Sequence, residues 1–266
     1  MTAWLDMHQH MGFAQDARVL AESLAESNVT SMCATVTPEE YLDLAGRMQG
    51  VLGLNLGLGL HPWWIADGRA CVDELDHACE CIDAMVNEDR PRILSEVGLD
   101  FSHKWMSFPD SKKRQLQAFT TLLAQTRKAS QNPWVYSIHC VQADDVLLDC
   151  MEEHKALIPG RNDAVILHSF SGSCDYLQRA IALGCYFSVG ERMLRTKRGK
   201  EYIKAIPRER LMLETDLPTC AQTYITSCDI VQVLERTLRS IEEIRGEALG
   251  QVMLDTSNQV LSLARA

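Results

Sequence analysis

Apolar and polar positions along this chain follow two alternating rhythms. Short β-rich runs are separated by longer stretches in which apolar residues return every three or four positions. Eight such runs can be read: Trp4 to His10, Val29 to Val36, Val51 to Leu60, Arg92 to Val97, Trp134 to His139, Val165 to His168, Tyr186 to Val189 and Leu211 to Glu214. Between the fourth and fifth, Leu116, Phe119, Leu123 and Thr126 mark one helical face; Ile230, Leu234, Leu238 and Ile241 mark the face of the closing helix. Thr37-Pro38-Glu39-Glu40 reads as a helix start, with threonine as N-cap, proline at N1 and acids in the first turn. Strands alternating with helices imply parallel pairing. Eight such units in 266 residues, with no Pro- or Ser-rich linker, predict an α/β fold: one TIM-type (β/α)8 barrel, open to distortion, as a single domain over residues 1–266. Chemistry in such a barrel gathers where strands end and loops begin.

The polar residues of this chain concentrate at those ends. The first strand carries Leu-Asp-Met-His-Gln-His, and strict alternation would put Asp6, His8 and His10 on one face and Leu5 and Met7 on the other. Two imidazoles at i and i+2 on a rigid strand can grip one divalent ion. A buried, hydrogen-bonded histidine pair is the ordinary alternative for that segment alone. Other strand ends carry His61-Pro62, Ser95-Glu96-Val97-Gly98-Leu99-Asp100, His139, His168-Ser169-Phe170-Ser171-Gly172 and Glu214-Thr215-Asp216. Single core histidines do not explain why His8, His10, His139 and His168, half of the eight histidines, share one end of different strands with carboxylates.

Composition narrows the setting. No apolar run reaches the roughly 20 residues a membrane span needs, and the first residues lack the basic start and apolar stretch of a signal peptide, so a cytoplasmic, membrane-free protein is expected. The ten cysteines show no Cys-x-x-Cys; Cys33, Cys140 and Cys185 sit in or beside strand-like runs and Cys71, Cys79 and Cys81 in a helical pattern, which predicts reduced, packed thiols. A net charge of -10 argues against coating nucleic acid by bulk electrostatics, so an anionic substrate needs a local site.

These motifs, in this order, resemble the TatD-related, metal-dependent deoxyribonucleases of the amidohydrolase superfamily. The resemblance rests on Asp-x-His-x-His, Gly-x-His-Pro, Glu-x-Gly-Leu-Asp, Ile-His, His-x-Phe-Ser-Gly and Glu-Thr-Asp-x-Pro, from Asp6 to about Pro218. It implies two divalent ions, Zn, Mn or Mg, with His8, His10, Glu96 and Asp216 on one and Glu96, His139 and His168 on the other. Glu96 would bridge them and Asp216 would serve as base. Asp6 would stand behind the ligands, orienting an imidazole. Two ions about 4 Å apart can activate a shared water and stabilise charge on an attacked phosphorus. The substrate implied is DNA or another phosphodiester, at an exposed end or single strand.

The rim departs from the family. Val141 stands where an arginine usually follows the fifth-strand histidine, Trp63 where a second histidine often follows His-Pro, and Thr219-Cys220-Ala221-Gln222 replaces an aromatic continuation. From Glu191 to Arg210, however, eight Lys or Arg face three Glu. With Val141 in place of arginine, the candidate substrate-binding residues are His61 and, from that run, Arg192 and Arg195, although much of the run is also what a solvated helix face would show. The same metal centre would also serve an amide, lactone or other ester, or a metal-binding subunit without turnover.

Overall fold

Each of the eight runs overlaps one strand of the computed structural model, which describes residues 3–68, 72–154, 156–157 and 162–266. The strands are β1 (Trp4–Gln9), β2 (Val29–Ala34), β3 (Leu54–Gly57), β4 (Ile93–Asp100), β5 (Val135–Val141), β6 (Ala164–His168), β7 (Tyr186–Val189) and β8 (Leu211–Leu213). All pairing is parallel, β1-β2-β3 in one sheet and β4-β5-β6-β7-β8 in another. A bridge between Leu58 and Leu94 joins β3 to β4. Past the end of β8, the Asp216 N–H donates to the His8 carbonyl at 2.9 Å and the His10 N–H to the Leu217 carbonyl at 2.9 Å. These links carry the ring across both gaps in the ladder. The architecture is therefore a distorted TIM-type barrel.

Two cores hold it. The larger lies between strands and helices; on the helix Ser111–Ala129 it takes Phe119, Leu122 and Leu123, with Leu116 partly buried against it. The smaller joins Leu5, Met7, Met32, Ile93, Val135, Ile166 and Met212, from strands of both sheets, to Val260 and Leu261 of the C-terminal helix Gly250–Leu263 and to its C-cap Ala264. Side chains from six strands of two sheets can meet only inside a ring. The C-terminal helix thus packs on the N-terminal end of the barrel, leaving the opposite end for chemistry. The helix Pro38–Arg47 begins as expected: the Thr37 side chain accepts from the Glu40 N–H at 3.2 Å, with proline in the first turn.

The inner core corrects the expected face of β1. Leu5 and Met7 pack inside the barrel, yet His8 also reaches inward, with Nδ1 2.7 Å from Ser137 Oγ. Pairing with β2 shifts register between Asp6 and Gln9, so the side chains stop alternating there. The nine described cysteines are free, as expected of reduced thiols, and Cys71 lies outside the described residues. Among the described residues no helix is long and apolar enough to cross a membrane.

Candidate metal centre

Glu96 sits in the middle of the open end because β4 is irregular at that residue. Ser95 pairs with Ser137 and Val97 with Ile138, so Glu96 is an extra residue in the strand, at φ 56°. A bulge of this kind re-aims one side chain, here a carboxylate, into the ring. Two residues on, Gly98 has φ 142°, and a Cβ there would lie 2.1 Å from the His139 carbonyl oxygen; only glycine lets β5 approach this closely. Asp216 and Ser169, at the ends of β8 and β6, also have positive φ, 57° and 45°. Left-handed conformations of non-glycine residues cost about 1–3 kcal/mol each and collect at functional sites.

Five imidazoles surround that one carboxylate. Its Oε1 lies 3.1 Å from His8 Nε2, 3.2 Å from His168 Nε2 and 3.6 Å from His10 Nε2. Its Oε2 lies 3.3 Å from His61 Nε2 and 3.5 Å from His139 Nδ1. Asp216 Oδ1 is 3.2 Å from His10 Nε2. Two sets could hold a metal ion, with ligand atoms all within 4.8 Å of one another: His8, His10, Glu96 and Asp216, and His61, Glu96 and His139. Imidazole and carboxylate together suit zinc, manganese and similar divalent ions. The nitrogens crowd this carboxylate without satisfying it: Glu96 Oε2 is buried with no hydrogen-bond partner. Buried Nδ1 of His10 and of His168 have no partner. The donor set therefore fits divalent cations.

The second set differs from the sequence expectation. His61, read as a substrate group, stands where His168 was expected. The His168 ring instead stacks parallel on His8 at 4.0 Å and faces the other oxygen of Glu96. His61 is buried, and its Nδ1 accepts from the Trp63 N–H at 3.1 Å, which leaves Nε2 pointing at Glu96.

Electrostatics divides the imidazoles. Burial, helped by the neighbouring His168, lowers His8 to about 4; burial lowers His61 to about 3. Burial also opposes charge on His10 and His139, but hydrogen bonds to Asp216 and Glu96 push His10 up to about 10, and those to Asp100 and Glu96 push His139 up to about 9. Glu96 is buried, which favours its neutral form, yet His168, His61 and the other imidazoles hold it well below the usual carboxylate range. Asp216, also opposed by burial, is brought down to about 2 by the His10 hydrogen bond and the charge of nearby imidazoles.

Three supporting residues were not singled out from the sequence. Ser137 holds His8 Nδ1. Asp100 Oδ2 lies 3.2 Å from His139 Nε2 and accepts from the Trp63 indole N–H at 2.7 Å. Glu214 accepts from the Ser169 N–H at 3.0 Å and its hydroxyl at 2.6 Å, and from the Ser188 hydroxyl, which fixes the left-handed turn after His168. For Ser137 the signal was present: a polar residue two before His139 faces inward in an apolar strand. Asp6 orients no imidazole. It accepts from the Thr215 N–H at 2.9 Å, the Thr215 hydroxyl at 2.5 Å and the His8 N–H at 3.3 Å, tying the end of β8 to β1.

The rim is divided as well. Arg192 lines the cavity of roughly 460 Å³ over the ligand sets and also a neighbouring one of roughly 410 Å³ that holds Val141 and Arg198. Arg195, expected beside it, lies outside both: its side chain is 77% exposed and pairs with Glu191 at 3.8 Å. The helix Glu191–Leu194 is one short turn, too brief to carry a basic face toward the site.

Residues 5–264 match the profile of a family described as TatD related DNase. The chain belongs to the TatD-related DNase family. Human deoxyribonuclease TATDN3 is 26% identical over 226 residues, 80% of this chain and 77% of that protein. The 3'-5' ssDNA/RNA exonuclease TatD of Escherichia fergusonii is 25% identical over 213 residues, 77% of this chain and 75% of that one. In fold, the crystal structure of a TatD-family hydrolase from Entamoeba histolytica superposes with a TM-score of 0.75 at 17% identity, covering 99% of this chain and 97% of that one. A TatD homologue from Escherichia coli K12 gives 0.73 at 19%, covering 97% of each. Like its relatives, this TatD-family chain is a hydrolase of ester bonds.

Asp100 supplies a direct test of the second set. A carboxylate behind a ligating histidine fixes the ring and raises its basicity, and its loss costs about 10–100-fold in metal affinity. Asp100→Asn is expected to weaken one class of metal site by that factor and leave the other unchanged, as read by calorimetric titration of the metal-free protein. Equal weakening of both classes would mean that His139 does not belong to a separate set.

Proposed function

We propose that this TatD-family protein is a two-metal phosphodiesterase that acts on DNA, at an exposed end or on a single strand. The observation that carries the reading is the crowding of five imidazoles and Asp216 around Glu96, a donor set that protons alone cannot satisfy. Bound to the two sets, divalent ions supply Lewis acidity toward a phosphoryl oxygen and lower the pKa of water. The chain does the rest. Asp216, ionised and at the cavity wall, accepts the proton of the attacking water, while Asp100 and Ser137 hold the rings of His139 and His8 at fixed angles. Arg192 faces the same cavity and offers a planar donor pair to a phosphate, in place of the family arginine that Val141 replaces. An acidic protein needs this local arrangement, because its overall field repels DNA.

The test is a substrate panel run with zinc, manganese and magnesium in turn: single-stranded and duplex DNA, RNA, a generic phosphodiester, a carboxyl ester and an amide. Cleavage of single-stranded DNA well above the duplex, dependent on added metal, is expected. Cleavage of the carboxyl ester or amide alone would replace this reading with that of a two-metal hydrolase of carboxyl substrates.

A further inference from the structure

We infer that Trp63 is a stacking platform for a nucleobase next to the scissile bond; this rests on the phosphodiesterase reading and adds a substrate-binding residue to it. Among the described residues the exposed large hydrophobics are Val19, Leu42, Leu52, Trp63 and Tyr224, and of these only Trp63 lines the cavity over the ligand sets. It is 42% exposed. An indole is a large apolar group that folding would ordinarily cover, so its exposure at the mouth of a site points to a ligand.

The indole is also held in place. Its N–H donates to Asp100 Oδ2 at 2.7 Å, its ring stacks on the buried Trp105 at 5.2 Å and 22°, and it leans on His61 at 4.4 Å. Because the helix Pro62–Ala66 starts directly after His61, the platform and a ligand of the second set are adjacent in the chain. Asp100 ties the platform to another residue of that set, since the same oxygen faces His139. A rigid aromatic loses little freedom when a ring settles on it, and base stacking of this kind needs no hydrogen-bond readout. Its one polar atom is committed to Asp100, so the surface recognises a π-face and not a base edge. A phosphodiester at the ligand sets, an arginine on one wall and an aromatic beside it match the parts of a nucleotide. A base inside a duplex is already stacked and paired, so this platform favours single strands and frayed ends.

The test uses short single-stranded oligodeoxynucleotides in which one base at a time is replaced by an abasic tetrahydrofuran residue, cleaved by the metal-loaded wild-type protein, Trp63→Ala and Trp63→Phe. At one position beside the scissile bond, base removal is expected to lower kcat/KM about tenfold or more in the wild type, the usual size for one stacked base. In Trp63→Ala the same removal should cost nothing further. Trp63→Phe, which keeps a ring but loses the bond to Asp100, should regain most of the sensitivity to the base. Metal content measured in each variant separates loss of stacking from damage to the second set. Equal sensitivity of the wild type and Trp63→Ala at every position overturns the platform and leaves the phosphodiesterase reading standing. Failure of the wild type to cleave any oligonucleotide overturns both.

Discussion

Glu96→Gln is expected to deplete both candidate metal sets and to lower phosphodiester cleavage by about 10³-fold, the upper range for removing one electrostatic stabiliser from a closed site. The reason is geometric. Oε1 faces His8, His10 and His168 while Oε2 faces His61 and His139, so one residue serves both sets. An amide keeps one acceptor and turns the other into a donor, which would point at a metal or at an imidazole nitrogen. The substitution also removes the negative charge that balances the imidazoles, so His10 and His139 should lose part of their elevated basicity. Metal content by mass spectrometry, alongside activity, checks the outcome. Retention of one tightly held equivalent would show that Glu96 belongs to one set and does not bridge.

Much of this centre was legible because metal chemistry tolerates few residue types and barrel topology puts them at one end. The order of strands and helices follows from hydrophobic period, and the ends of β1, β4, β5 and β8 carry the candidate ligands His8, His10, Glu96, His139 and Asp216. What escaped was local backbone geometry. Alternation puts Leu5 and Met7 together, as found, but puts His8 on the wrong face because it assumes an unbroken ladder, and the slip between Asp6 and Gln9 has no sequence signature. Glu96 looks like an ordinary strand residue, although it is bulged at positive φ. That His61, and not His168, groups with Glu96 and His139 has a related reason. Which oxygen of a shared carboxylate a ring faces depends on packing, such as the His8–His168 stack, that linear spacing cannot encode. Arg192 lies inside the short helix Glu191–Leu194 and Arg195 is its C-cap; three-residue spacing would put both on one face, yet only Arg192 reaches the cavity while Arg195 pairs with Glu191.

Asp216→Asn separates proton transfer from metal holding. His8, His10 and Glu96 remain in the first set, and asparagine keeps a carbonyl oxygen, so metal content at saturating metal should stay near that of the wild type. Cleavage should nevertheless fall by about 10²–10⁴-fold, the usual contribution of a positioned general base, with kcat taking the loss and KM moving little. With no metal bound, the hydrogen bond to His10 holds this carboxylate down to about 2, and a bound cation would favour its ionised form in the same way. Its own ionisation therefore cannot set the acid side of the pH–rate profile. The imidazoles set it, because His10 and His139, raised to about 10 and about 9, bind protons that a metal must displace. The acid limb should move to lower pH as metal concentration rises, in the wild type and in Asp216→Asn alike; the substitution lowers the whole curve and, by removing the carboxylate that raises His10, also moves its acid limb toward lower pH. Full activity of Asp216→Asn, or an acid limb that ignores metal concentration, would remove Asp216 from the role of base or the imidazoles from the role of ligands, respectively.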